Sequence, residues 1–113
     1  MHELGITQSI LSIAVEKANE VQASRVTKIN LIIGELSGVV NECVEFYFDL
    51  LSKDTIAAQA SLSFERTPNK LRCRECNTVF SPNDLDWTCP DCHQANVEII
   101  SGRECRVESI EVE

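Results

Sequence analysis

Four cysteines in this chain fall into two close pairs, Cys73-Arg74-Glu75-Cys76 and Cys89-Pro90-Asp91-Cys92, with twelve residues between them. Each C-x-x-C can turn tightly enough to present two sulfurs to one ion. Two such knuckles complete the tetrahedral set that Zn(II) prefers, with Zn–S bonds of about 2.3 Å. A closed set of thiolates leaves no position for a reacting water, so the expected role of the metal is structural. Four unrelated buried thiols would not recur in paired spacing. A redox C-x-x-C sits at a strand-to-helix junction and occurs once, whereas here two copies face each other. The stretch is too short to bury a self-sufficient core, so metal binding and local folding are expected to be one event.

A second group of donors stands at the start of the sequence, Met1-His2-Glu3. The α-amine of Met1, the backbone nitrogen of His2 and its imidazole can close adjacent chelate rings in one plane. That array suits Ni(II) or Cu(II) and poorly matches tetrahedral zinc. The Glu3 backbone nitrogen, the Glu3 carboxylate or a distant histidine would supply the fourth donor. An amide nitrogen binds only when deprotonated, so affinity should rise with pH. Taken on its own, His2 reads more simply as a solvated residue beside a helix-capping Glu3.

The elements that must position these donors are legible in the hydrophobic pattern. Leu4, Leu11, Ala14, Val15, Ala18 and Val21 recur at helical spacing and predict an amphipathic helix over 3–22. Thr27, Ile29, Leu31 and Ile33 share one face of a strand over 26–33. Asn41 is a fitting N-cap for a second helix with Val44, Tyr47, Phe48 and Leu51 as its buried stripe. Leu62, Phe64 and Arg66 alternate in a second strand that stops at Pro68. A last strand carries Cys105 and Val107 in one phase and Ile110 and Val112 in the other, which suggests a bulge near Glu108-Ser109. The expected fold is α+β, two helices on a small three-stranded mixed sheet, with an inserted zinc-ribbon module. Residues 1–68 and 99–113 form the main domain and 69–98 the ribbon.

The whole chain has 113 residues and a net charge of −8, with 43% hydrophobic and 25% charged residues, which suits one folded domain carrying a small module. An acidic surface repels phosphates, and residues 70–98 themselves hold three basic against five acidic side chains, so no nucleic-acid partner is expected. The longest apolar runs are a few residues, and the start lacks a basic region followed by an apolar stretch, so neither a membrane span nor a secretory signal is expected. Paired thiols then belong in a reducing cytoplasm. Four glycines, none followed by Lys-Ser or Lys-Thr, build neither a phosphate loop nor a dinucleotide fingerprint.

Met1-His2-Glu3-Leu4, Val39-Val40, Phe46-Tyr47-Phe48-Asp49-Leu50, the two C-x-x-C pairs and the ending Arg106-Val107-Glu108-Ser109-Ile110-Glu111-Val112 together resemble the HypA family of hydrogenase maturation factors. The resemblance runs from end to end. It implies a nickel metallochaperone, not an enzyme, which helps deliver Ni(II) to the [NiFe]-hydrogenase large subunit and in some organisms to urease, with a HypB-type GTPase as partner. It implies that His2 is the nickel ligand, that Glu3 shapes that site, and that Cys73, Cys76, Cys89 and Cys92 hold structural Zn(II). A monomer or weak homodimer is expected. The rival readings are a zinc-ribbon protein-interaction module with no nickel role and a zinc-linked redox switch.

Three further features remain. Cys43 and Cys105 read as small core residues. His93, directly after Cys92, is expected to face solvent, although it could exchange into the zinc site or reach the nickel site. Phe80 and Trp87 are expected to cover the zinc.

Overall fold

The computed structural model describes residues 2–83 and 86–113, with the His2 side chain outside that description. Among these described residues two helices and six strands follow in the order α1 (His2–Glu20), β1 (Val26–Gly34), α2 (Asn41–Leu51), β2 (Ser61–Thr67), β3 (Lys70–Cys73), β4 (Val79–Phe80), β5 (Val97–Ser101) and β6 (Cys105–Val112). The strands make two three-stranded sheets, β2-β1-β6 and β4-β3-β5. No helix among the described residues is long and apolar enough to cross a membrane.

The chain divides into two compact units, residues 1–32, 38–65 and 105–113 in the first, 33–37 and 66–104 in the second. In the first unit α1 lies against α2 and β6. Its buried line is Thr7, Ile10, Ala14 and Ala18, spaced three and four apart. Ala14 and Ala18 are fully buried, and such small side chains let a neighbouring element approach closely. The buried face is rotated from the expected stripe: Leu4, Leu11 and Val15 are half-buried, and Val21 lies beyond the helix end and is exposed. The buried Thr7 hydroxyl is satisfied locally, donating to the Glu3 carbonyl at 2.6 Å.

Helix α2 buries Val44 and Phe48, with Tyr47 and Leu51 half-buried. The residue at its N-cap is Val40, with extended φ −100° and ψ 120°, so Asn41 is the first helical residue rather than the expected cap. Strand β1 is central in its sheet. Ile29, Leu31 and Ile33 are buried on the face expected from the sequence, while Thr27 is half-buried; Ile32, on the other face, is buried as well. Thr27 Oγ1 donates to the Glu111 carbonyl at 3.1 Å, and Asn30 Nδ2 to Ser109 Oγ at 3.0 Å. One index rises as the other falls, so β6 runs antiparallel to β1. The half-buried residues of β6, Val107 and Ile110, are three apart, so its inward phase changes between them.

The second unit takes in residues 33–37 together with 66–104. Residues 97–101 form β5, which pairs antiparallel along β3 with Leu71 opposite Ile99 and Cys73 opposite Val97. Residues 33–37 join by backbone bonds, Glu35 N–H to the Thr67 carbonyl at 3.0 Å and Leu36 N–H to the Gly102 carbonyl at 2.6 Å. Gly34 permits this approach, because a Cβ there would stand 2.0 Å from the Gly102 carbonyl oxygen. Gly102 itself has φ +114°, a region that other residues rarely adopt.

Candidate metal centre

In the second unit Cys73 ends β3 and Cys76 lies in the turn that follows, while Cys89 and Cys92 bracket a second turn. Strand β3 pairs antiparallel with β4, Leu71 opposite Phe80 and Arg72 opposite Val79, so the chain must reverse between Cys73 and Thr78. That reversal is the first knuckle. Asn77 N–H donates to the Cys73 carbonyl at 2.8 Å, and Cys73 N–H to the Thr78 carbonyl at 2.9 Å. The second knuckle repeats the pattern: His93 N–H donates to the Cys89 carbonyl at 3.0 Å, and Cys89 N–H to the Gln94 carbonyl at 2.9 Å. Asn77 and His93 take positive φ, 64° and 62°.

The two knuckles bring four sulfurs together. Cys73 and Cys92 Sγ are 3.4 Å apart, Cys76 and Cys89 Sγ 3.6 Å, and all four lie within 4.8 Å of one another. A tetrahedron with metal–sulfur bonds of about 2.3 Å has edges of ~3.8 Å, close to these separations. A disulfide would need a separation of about 2.05 Å, and all six cysteines are free. Each of these two close pairs joins one knuckle to the other, so both knuckles face a common centre. Among the described residues no other group of three or more His, Cys, Asp or Glu side chains converges in this way.

Cys73 and Cys89 are buried, Cys92 is half-buried and Cys76 is exposed. Their protonation is pulled in opposite directions. The Thr78 hydroxyl and then the Thr78 backbone favour the Cys76 thiolate and bring it down to about 7. At Cys92 a backbone bond from Gln94 also favours the thiolate, but burial and the neighbouring Cys73, Cys76 and Cys89 sulfurs outweigh it and push the thiol up to about 12. Four adjacent thiolates repel unless a cation sits among them, so this donor set fits a divalent ion of the zinc type.

Polar contacts brace the knuckles. The same Thr78 hydroxyl stands 3.1 Å from Cys76 Sγ and 2.8 Å from Asp91 Oδ2, so its single proton is shared between the first knuckle and a carboxylate of the second, and Asn96 Nδ2 donates to Glu75 Oε1 at 3.0 Å. Behind them Arg72 grips Glu98 across the β3–β5 pair, with Nε 2.8 Å from Oε1, while Arg74 Nε stands 3.4 Å from Oε2. The Arg72 hydrogen bonds and charge, helped by Arg74, hold the Glu98 carboxyl below its ordinary range.

Over residues 1–112 the sequence matches the family described as hydrogenase/urease nickel incorporation, metallochaperone, HypA. The chain belongs to the HypA family. The hydrogenase maturation factor HypA of Dehalococcoides mccartyi is 48% identical over 113 residues, covering 100% of this chain and 95% of the relative. That of Caldanaerobacter subterraneus is 40% identical over 114 residues and covered along its full length. Two solved structures share the fold. The solution structure of a HypA protein aligns with a TM-score of 0.79 at 30% identity, covering 100% of this chain and 97% of that one. The solution structure of the Ni metallochaperone HypA from Helicobacter pylori gives 0.69 at 28%, covering 97% and 96%. HypA proteins are thus nickel-incorporation metallochaperones for hydrogenase maturation, and this member carries a four-cysteine cluster consistent with a zinc ribbon.

Of the other residues singled out from the sequence, Met1 and the His2 side chain lie outside the described residues, so the nickel-ligand assignment lies there too. Glu3 is half-buried in the first turn of α1. His93 is exposed and serves the second knuckle through its backbone. Phe80 is half-buried and lines a small hollow with Cys89 and His93, and Trp87 is half-buried. Cys43 and Cys105 are exposed, contrary to the core placement expected. Cys105 lines a shallow hollow with Ile6, Ile10, Ile13 and Val107, and partial burial there raises its thiol. The positive-φ residue after each knuckle escaped the sequence reading, although an Asn or His directly following the second cysteine is a usable signal.

Proposed function

We propose that this HypA-family chain captures Ni(II) at its N-terminus and surrenders it by ligand exchange to the immature large subunit of a [NiFe]-hydrogenase. The observation that carries the reading is the end-to-end match to a nickel-incorporation family, combined with a separate four-sulfur cluster suited to a resident ion. Two metals then have two donor sets. Cys73, Cys76, Cys89 and Cys92 hold structural Zn(II), a closed site that exchanges slowly. His2 supplies the imidazole and backbone nitrogen for Ni(II), Met1 its α-amine, and Glu3 shapes the fourth position. The unit containing α1 is the nickel-binding part, and the ribbon keeps its own fold through zinc.

The chain acts without catalysis, in the cytoplasm, alongside a HypB-type GTPase, and urease is a second destination where an organism makes it. Nickel delivery tests this directly. The chain loaded with radioactive nickel is mixed with the GTPase and the immature large subunit, with a chelator present to trap free ion. Nickel moving to the large subunit faster than the chelator removes it supports the reading. Nickel that reaches the subunit only when the chelator is omitted leaves the chain as a zinc-ribbon interaction module.

A further inference from the structure

Helix α2 carries an apolar ridge on the side away from its core. Val44 and Phe48 are buried, and at 100° per residue Phe46 and Leu50 fall on the opposite face, one turn apart. Phe46 is 61% exposed and Leu50 51% exposed. The Phe46 ring meets Tyr47 edge to face, with centroids 5.6 Å apart and planes at 69°, which gives the ring one fixed neighbour on an otherwise open face. A helix apolar on both sides is normally covered on both.

Charge distinguishes the two flanks of this ridge. The exposed Glu42, Glu45 and Asp49 lie along one side, Cys43 and Tyr47 along the other, and the helix contains no lysine or arginine. We propose that this face of α2 docks an amphipathic helix of a partner protein, whose apolar stripe seats on Phe46 and Leu50 and whose lysines or arginines face Glu42, Glu45 and Asp49. A second copy of this chain would bring acid against acid across a twofold contact, and the net charge of −8 adds to that repulsion. An anionic membrane surface is repelled for the same reason. An aromatic and an aliphatic anchor within a charged margin is the pattern of a small, exchangeable interface. The proposal does not depend on where nickel binds.

The test titrates a synthetic helical peptide, leucines on one face and lysines along one flank, into the full zinc-loaded chain. A matched peptide carries glutamate for every lysine. Amide resonances are followed by NMR and affinity by calorimetry. The lysine peptide should shift α2 amides and weaken with added salt, and the glutamate peptide should bind at least ~10-fold more weakly. Phe46→Ser with Leu50→Ser should reduce lysine-peptide affinity at least ~10-fold while leaving zinc content and melting unchanged, because both side chains are exposed. Glu45→Lys with Asp49→Lys should reverse the peptide preference. Equal affinity for the two peptides, or shifts mapping away from α2, overturns the proposal. So does tighter binding to phosphatidylserine vesicles than to the peptide, or a concentration-dependent dimer abolished by the serine pair.

Discussion

Asn77 and His93 occupy equivalent positions in the two cysteine knuckles. Each follows the second cysteine of its pair, each has a positive φ, 64° and 62°, and each amide donates to the carbonyl of the first cysteine. The equivalence gives His93 a backbone role that its side-chain chemistry does not suggest. Asn and Gly tolerate this conformation and β-branched residues do not. His93→Asn and His93→Gly should therefore keep the zinc content and melting of the parent. His93→Val should destabilise the second unit by about 1–3 kcal/mol. Melting of the zinc-loaded variants and the rate of zinc release to a chelator are the readouts. Loss of zinc in His93→Asn would make the imidazole a ligand instead.

Zinc removal separates the two units. The second unit has few large buried side chains, Ile33 and Leu71 alongside Cys73 and Cys89, whereas the first buries Ile29, Leu31, Val44 and Phe48. Structural zinc in small sites contributes about 10–16 kcal/mol of apparent binding free energy, more than so small a core can replace. Stripping the metal, or replacing Cys73 or Cys92 by Ala, should abolish hydrogen-exchange protection over residues 70–101. Protection at Ile29 and Leu31 should persist. Protection retained over 70–101 in the stripped protein would show that the cluster is not what folds the ribbon.

The Gly34–Gly102 approach is a steric prediction. A methyl at Gly34 meets backbone atoms rather than a flexible side chain, so the neighbour cannot swing aside. Gly34→Ala should cost about 1–3 kcal/mol in stability and speed exchange of the Leu36 amide, which bonds to the Gly102 carbonyl. Chemical denaturation and hydrogen exchange check both effects.

How much was legible beforehand follows physical lines. Long periodic segments, α1, α2 and β1, declare themselves because many residues vote for one period. The cysteine quartet declares itself because two C-x-x-C pairs are improbable without an ion. Strands β3, β4 and β5 did not, since pieces of four, two and five residues carry too few side chains for a period, and their pairing is imposed by the knuckles. Cys43 and Cys105 misled because free cysteine is usually buried. Ile10 and Thr7 were missed as core because α1 rotates to fit two neighbours, which a single helix pattern does not encode. The open Phe46 and Leu50 face is the reverse case, with apolar residues that the fold leaves uncovered.

A pH dependence follows from Glu104. Its own backbone amide and then the Gly102 amide, at 2.6 Å, favour the carboxylate and lower its pKa from the ordinary value of 4.5. A group lowered on folding adds stability that is present above the ordinary glutamate value and disappears as pH falls through the folded value. Glu104→Gln should therefore melt below the parent at neutral pH, and the gap should close on acidification. Paired melting curves at matched zinc loading check the trend. A gap that stays constant with pH would assign the loss to packing instead of charge.

Nickel titration of the untagged chain beside His2→Ala, by calorimetry with zinc measured in the same samples, tests most directly the separation of a nickel site at the N-terminus from a zinc site in the ribbon. The parent should bind one nickel per chain with affinity rising as pH rises, and His2→Ala should lose that binding while zinc content and melting stay unchanged. Equal nickel affinity in the two proteins, or zinc lost together with nickel, would contradict it.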